Sequence, residues 1–266
     1  MVRKLDEYRE NHMTESSILL GEQGRDSKGN PRTVDSRLFI QLQAFGHCLD
    51  VSPVIGAVER ASKAGEFEGV IYLDINDPQG IAILAAHEDP EYFVSGLRDL
   101  LTTPPFRTLV PKPEYTMLGR TYSIGYEVHL EDVLLDRPRR RMRHPDYRWA
   151  VWYPLRRSGS FELLPAEEKQ EILMEHAGIG ISFSNTGYAQ DIRLACHGIE
   201  KNDNDFVIGL VGTALYPLSA MVQTMRKTKQ TSTHLERLGP FFVGRTAWQS
   251  PALPAPSEST NSHGQT

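Results

Sequence analysis

His176, Arg193, Tyr153 and the adjacent pair Arg156 and Arg157 are the side chains whose types and settings suit redox or anion chemistry. His176 follows Ile172 and Leu173 by four and three residues in the run beginning at Pro165, so its imidazole projects from an apolar helix face. Gly178 and Gly180 come next and are expected to end that helix, leaving His176 at a terminus that faces a pocket. A neutral imidazole placed so can ligate heme iron and leave the opposite iron face open to peroxide or an oxyanion. The plainer alternative is a satisfied core histidine.

Arg193 lies in Asp191-Ile-Arg-Leu-Ala-Cys-His197, where strand alternation puts Arg193, Ala195 and His197 on one face. A mid-strand guanidinium needs a partner. It is either half of a structural ion pair, with Asp191 or Glu127, or a cation that polarises an anionic or peroxidic ligand. Tyr153 closes an aromatic strand, Tyr147-Arg-Trp149-Ala-Val-Trp152-Tyr153, in which Trp149 and Trp152 read as core. Beside Arg156 and Arg157, which suit carboxylates, Tyr153 is placed to lose an electron to an oxidised cofactor.

The elements that must position these residues recur in two rounds. Strand signals at 37–45, 69–75, 80–86 and 115–126 surround helical ones that open at Pro53 and, capped by Asp89, at Pro90 and run to Leu101. A second set follows: a strand over 147–155, a helix from Pro165 to about His176, strands over 190–197 and 205–211, a helix over 215–229 and a strand over 240–248. Each round reads strand, helix, two strands, helix, strand, and Gly119-Arg-Thr121 is echoed by Gly244-Arg-Thr246. Each round resembles a ferredoxin-like unit with antiparallel strands. Two of them joined sheet to sheet predict an α+β fold, a dimeric α/β barrel with a pocket between the halves. The expected organisation is a flexible segment over 1–35, an N-terminal half over 36–136, a basic connecting loop over 137–146, a C-terminal half over 147–249 and a disordered tail over 250–266.

Composition limits the partners. Net charge is −5 and the mean hydropathy is −0.39, values of a soluble globular chain without a global pull toward nucleic acid. No stretch reaches the roughly 20 apolar residues that span a bilayer. Met1 to Met13 lacks the apolar core of an export signal, which points to the cytoplasm. Cys48 and Cys196 have no metal-like spacing and read as reduced and structural. The basic run Arg137 to His144 reads as a solvated connector, with nuclear localisation or RNA binding as the alternative. No phosphate-binding glycine loop, His-Glu-x-x-His pair or Gly-x-Ser-x-Gly elbow is present.

The segments Trp152-Tyr-Pro-Leu-Arg-Arg157, Leu164-Pro-Ala-Glu-Glu168, Met174-Glu-His-Ala-Gly178, Asn204-Asp-Phe206 and Gly239-Pro-Phe-Phe-Val-Gly-Arg245 resemble the second half of the chlorite dismutase superfamily. Gly69-Val-Ile-Tyr72 and Pro113-Glu-Tyr-Thr-Met-Leu-Gly-Arg120 resemble strands of its first half, and the likeness spans residues 36–248. It implies heme b or coproheme in the C-terminal half, His176 as iron ligand and a homo-oligomer, commonly a pentamer. The superfamily's distal residue lies thirteen positions before the aromatic of the Asp-Phe pair, which is Arg193 here, given an insertion near 184–187. An arginine there resembles chlorite dismutases. Tyr153-Pro154 resembles the radical-forming Tyr-Pro of coproheme decarboxylases, in which Arg157 replaces a lysine. The resemblance thus implies peroxide-dependent decarboxylation of coproheme III to heme b, with Arg156 and Arg157 on propionates. Chlorite turnover and a non-enzymatic heme sensor or carrier are the alternatives.

Overall fold

The computed structural model describes residues 20–252; the outer parts of the two expected flexible ends, residues 1–19 and 253–266, lie outside the described residues. After a hairpin of β1 (Glu22–Arg25) and β2 (Pro31–Val34), the chain runs β3 (Phe39–Gly46), α1 (Ser52–Lys63), β4 (Gly69–Asp74), β5 (Ile81–His87), α2 (Gly96–Thr102) and β6 (Val110–Arg120). The connector helix α3 (Arg137–Met142) leads to β7 (Trp149–Arg157), α4 (Gly159–Glu162), α5 (Ala166–Asn185), β8 (Gln190–Ala195), β9 (Phe206–Gly212), α6 (Leu215–Met225), α7 (Lys229–Thr233), β10 (Leu235–Leu238) and β11 (Phe242–Gln249).

The strands pair in the order β10-β7-β11-β4-β5-β3-β6-β8-β9, and β9 also pairs with β7, which closes the sheet into a barrel. The main strands of the first half, β3 to β6, lie in the order β4-β5-β3-β6; those of the second, β7, β8, β9 and β11, lie in the order β8-β9-β7-β11. These are the same topology twice. The Gly-Arg-Thr echo occupies the equivalent seams. A Cβ on Gly119 would come within 2.6 Å of Leu194, and one on Gly244 within 2.7 Å of Tyr72, each across the junction between halves. Thr121 N–H donates to the Leu38 carbonyl and Thr246 N–H to the Arg148 carbonyl, each acceptor just preceding the first strand of its half.

Alternation sorts the side chains. Ile40, Leu42, Val70, Tyr72, Leu84, Trp152, Leu194, Val207 and Phe242 fill the barrel interior, and Met142 of α3 joins them. The expected pocket between the halves is therefore replaced by a packed core. A second layer under α1 and α2 buries Val54, Val58, Phe93 and Leu97 against Phe45, Ile71 and Ile83. A third lies outside the second-half strands, where Leu218 and Met221 of α6 meet Val151, Tyr153 and Leu210.

Several expectations need correction. Residues 21–35 are not a flexible segment. Asp26 accepts backbone N–H groups of Lys28 and Asn30 at 2.8 Å to make the turn, and the buried Glu22 accepts from Arg120 at 2.8 Å and the Ser123 amide at 2.9 Å. Polar contacts, invisible to a search for apolar surface, hold this hairpin. The basic run is not a loop: Asp132–Asp136 forms a π-helical turn that continues into α3. Arg137 and Arg140 pair with Asp132, Arg139 with Glu68 and Glu88, and Arg141 with Asp191. The helix expected over 90–101 is interrupted at Ser95, leaving a 3-10 turn over Pro90–Val94 before α2. The strand expected over 115–126 sits earlier, as β6. The helix expected over 215–229 ends at Met225, ahead of the separate α7. At the far end, Ser250 is buried and its Oγ accepts from the Gly69 amide at 3.0 Å.

Candidate functional site

Most of the chemistry-bearing residues lie on the outer face of the second half, under α5 and α6. Because Ala150 and Trp152 point into the barrel, Val151, Tyr153, Leu155 and Arg157 point out. In the strand register Tyr153 faces Ile208, and Ile208 faces Arg193. These three side chains form one row across β7, β9 and β8, which puts Tyr153 and Arg193 roughly 10 Å apart on the same surface. Tyr153 is not at a strand end but at its middle, buried and stacked on Phe241 at 4.6 Å. Burial, aided by the Asp191 charge, raises its phenol above the ordinary range, so it stays protonated.

Helix α5 supplies His176, and not from a terminus. Gly178 and Gly180 keep helical backbone, and the chain turns left-handed only at Gly187 (φ 72°). An interior glycine costs a helix about 1 kcal/mol, a bias that tertiary packing overrides. A Cβ on Gly180 would make only ordinary contact with Met221 and Met225 of α6, and one on Gly178 would meet open space. Of the 20 residues of α5 only Ile172 is buried, and the helix rests on α6, α7 and β8.

The His176 ring is oriented by Thr228, which caps α7 and is 2% exposed. Thr228 Oγ1 donates its one proton to the Met225 carbonyl at 2.8 Å and lies 3.3 Å from His176 Nδ1. With that proton on the Met225 carbonyl, the imidazole donates from Nδ1 and keeps the Nε2 lone pair. Burial first, then the Arg157 and Arg193 charges, hold His176 below the ordinary histidine range, so the ring stays neutral. Thr228 escaped the sequence reading; its signal was the N-cap position before Lys-Gln-Thr.

Arg193 has the partner its strand position demanded. Its Nε lies 3.1 Å from Asp191 Oδ2, while its side chain stays 49% exposed. Glu127 is not involved, because its carboxylate accepts the Ile124 and Tyr126 amides. Arg157 is sandwiched between Phe161 and Phe206, 4.8 Å from each ring centre, and its Nε is buried without a hydrogen-bond partner. Arg156 does not join this group. Alternation turns it to the other face, where it pairs with Asp203 and Glu236. Tyr122, just past β6, was missed and has no local signal. It packs 5.6 Å from Phe206, and both Arg193 and Arg157 act on its phenol against the upward push of burial. His197 lies beyond the end of β8, edge-on to Phe206 at 5.3 Å.

Two surface hollows lie elsewhere. One, of about 310 Å³, adjoins His47, Cys48 and Asp50; the other, of about 530 Å³, lies on α5 at Glu167, Gln170, Glu171 and Met174. Cys48 and Cys196 are both buried and form no disulfide, and their thiols donate to the Asp50 and Asn204 carbonyls. No cluster of three or more metal-ligating side chains occurs among the described residues. A metal at His176 would accordingly take one protein ligand and bring its remaining ligands with it, as an iron porphyrin does. The arrangement offers a neutral imidazole on the helix side, a guanidinium and a phenol on the strand side, and an unsatisfied buried guanidinium N–H at one end.

A family model described as chlorite dismutase matches residues 74–247. No curated protein matches the chain in sequence. Among solved structures, a heme-binding protein from Thermus thermophilus is 16% identical with a TM-score of 0.62, covering 81% of this chain and 92% of its own. A variant chlorite dismutase from Candidatus Nitrospira defluvii in complex with cyanide is 16% identical with a TM-score of 0.61, covering 80% and 92%. The chlorite dismutase of the same organism in complex with imidazole gives 16%, 0.59, 80% and 92%. At these identities the neighbours share the fold. Among the described residues no helix is long and apolar enough to cross a membrane.

Proposed function

Because this chain belongs to the chlorite dismutase family, we propose that it is a heme-dependent oxidoreductase that converts coproheme III to heme b with hydrogen peroxide. The observation that carries this reading is the shared outer row of Tyr153 and Arg193, the latter on β8, the strand against which the His176-bearing helix rests. His176 would bind the iron through Nε2, and the unpartnered Nε–H of Arg157 would meet a propionate. Arg156, already paired on the far face, is left out of that role.

Bound iron porphyrin, once oxidised by peroxide, supplies the oxidising equivalents. Tyr153, kept protonated by burial, gives up its phenolic hydrogen as proton and electron together and recovers it from the substrate propionate. Two of the four propionic acid side chains react, each becoming a vinyl group and carbon dioxide at the expense of one peroxide, which becomes two waters, so atoms and electrons balance. Arg193 donates a hydrogen bond that helps the peroxide O–O bond break. Chlorite turnover is the second reading, favoured by the half-exposed guanidinium of Arg193.

The deciding experiment is incubation of apoprotein with coproheme and peroxide, followed by mass analysis of the porphyrin. Loss of propionates as carbon dioxide supports decarboxylation. Unchanged coproheme together with oxygen release from chlorite favours the second reading, and tight heme binding without either turnover makes the protein a carrier or sensor.

A further inference from the structure

Arg193 shares its face with a carboxylate that the strand itself provides. Asp191 lies two residues earlier on β8 and points to the same side, one oxygen 3.1 Å from Arg193 Nε. The other oxygen accepts from Arg141 Nη1 of the connector helix at 2.9 Å, and Arg141 also donates to the Asp191 carbonyl. Arg141 thus holds the carboxylate beside Arg193. Asp191 is only 23% exposed, which limits screening by water. Its charge reaches the middle of the site, where it acts on both His176 and Tyr153.

An arginine by itself favours anions over neutral ligands. Pairing with a fixed carboxylate offsets that preference through its charge and leaves the guanidinium N–H groups for a neutral acceptor. We propose that Asp191 is a specificity-determining residue that turns the site opposite His176 away from small anions and toward neutral ligands such as hydrogen peroxide. The proposal rests on the heme reading above and adds to it the charge class of the small ligand.

The test is azide and imidazole binding to the heme-loaded protein, followed by the Soret band, in the parent, Asp191→Asn, Arg193→Gln and the double variant. Asparagine keeps the shape and an acceptor oxygen for Arg141, so the fold is retained. Asp191→Asn should tighten azide about tenfold, the effect of removing a unit charge from a partly solvated site, and leave neutral imidazole unchanged. In the Arg193→Gln background the gain should shrink by more than half, because the two charges act as a pair. Azide affinity within twofold of the parent overturns the proposal, and so does equal tightening of azide and imidazole, which would report a widened pocket. If the parent takes up no heme, or His176→Ala holds it unchanged, the heme reading itself fails. Normal His176-dependent uptake with unaltered azide affinity removes only the role of Asp191.

Discussion

Replacing Thr228 with valine tests the orientation of His176 most directly, because valine keeps the shape and deletes only the hydroxyl. That oxygen caps α7 by accepting from the Thr231 amide, donates to the Met225 carbonyl at 2.8 Å and lies 3.3 Å from His176 Nδ1. Losing the cap costs about 1 kcal/mol, and losing the buried bond to Met225 costs about 1 more. A domain of this size loses roughly 2–4 °C in Tm per kcal/mol, so the apoprotein should melt about 4–8 °C lower. Heme affinity should fall about tenfold, as is typical when the partner of a ligating histidine is removed. Thr228→Ser keeps the oxygen and should stay close to the parent in both respects. Thermal unfolding of apoprotein by circular dichroism and a heme titration read the two effects separately. If valine and serine variants behave alike, the hydroxyl neither caps α7 nor sets the ring.

Other outcomes follow from the same geometry. His176→Ala should leave the apoprotein folded and remove the iron–histidine stretch from the ferrous resonance Raman spectrum; persistence of that band means another ligand. Tyr153→Phe should bind coproheme normally and fail to release carbon dioxide, and a parent-like rate in a peroxide assay would take the phenol out of the reaction. Gly209→Ala should destabilise strongly, because a Cβ there lies 2.4 Å from the Trp152 indole inside the barrel; a melting point within a few degrees of the parent contradicts the packing. Acid should weaken the apoprotein. His176 is depressed in the fold, so between its folded value and the unfolded 6.5 the unfolded chain binds the extra proton, and stability falls as pH drops through that window. His176→Gln should flatten this part of the pH–stability curve.

The barrel was legible because apolar alternation and the repeated order of elements are local signals, and β3, β4, β5 and β7 fall where they pointed. Helix ends were less legible. Gly178 and Gly180 carry the residue type that ends helices, yet α5 continues with helical backbone through both to Asn185. The connector misled because its arginines look solvated in isolation, whereas the acids that meet Arg139 and Arg141, namely Glu68, Glu88 and Asp191, lie 50 or more residues away. Within the site, Tyr153, Arg157 and Arg193 could be named from alternation and motif. Whether Arg156 joined them depended on parity along β7, which no composition argument reports. Tyr122 and Thr228 reach the site from loops whose path only tertiary structure sets.

The two halves of the barrel have the same topology but unequal outer layers. Over the first half, α1 and α2 bury Val54, Ala57, Val58 and Leu97; over the second, α6 buries Leu218 and Met221 while α5 buries Ile172 alone. Substitutions beneath α1 and α2 remove core contacts and therefore threaten the whole barrel. Substitutions along α5 cost the barrel little and alter mainly what the second half presents. A duplicated fold arranged in this way separates robustness from evolvability: α1, α2 and α6 hold the architecture constant while α5 is free to change its chemistry.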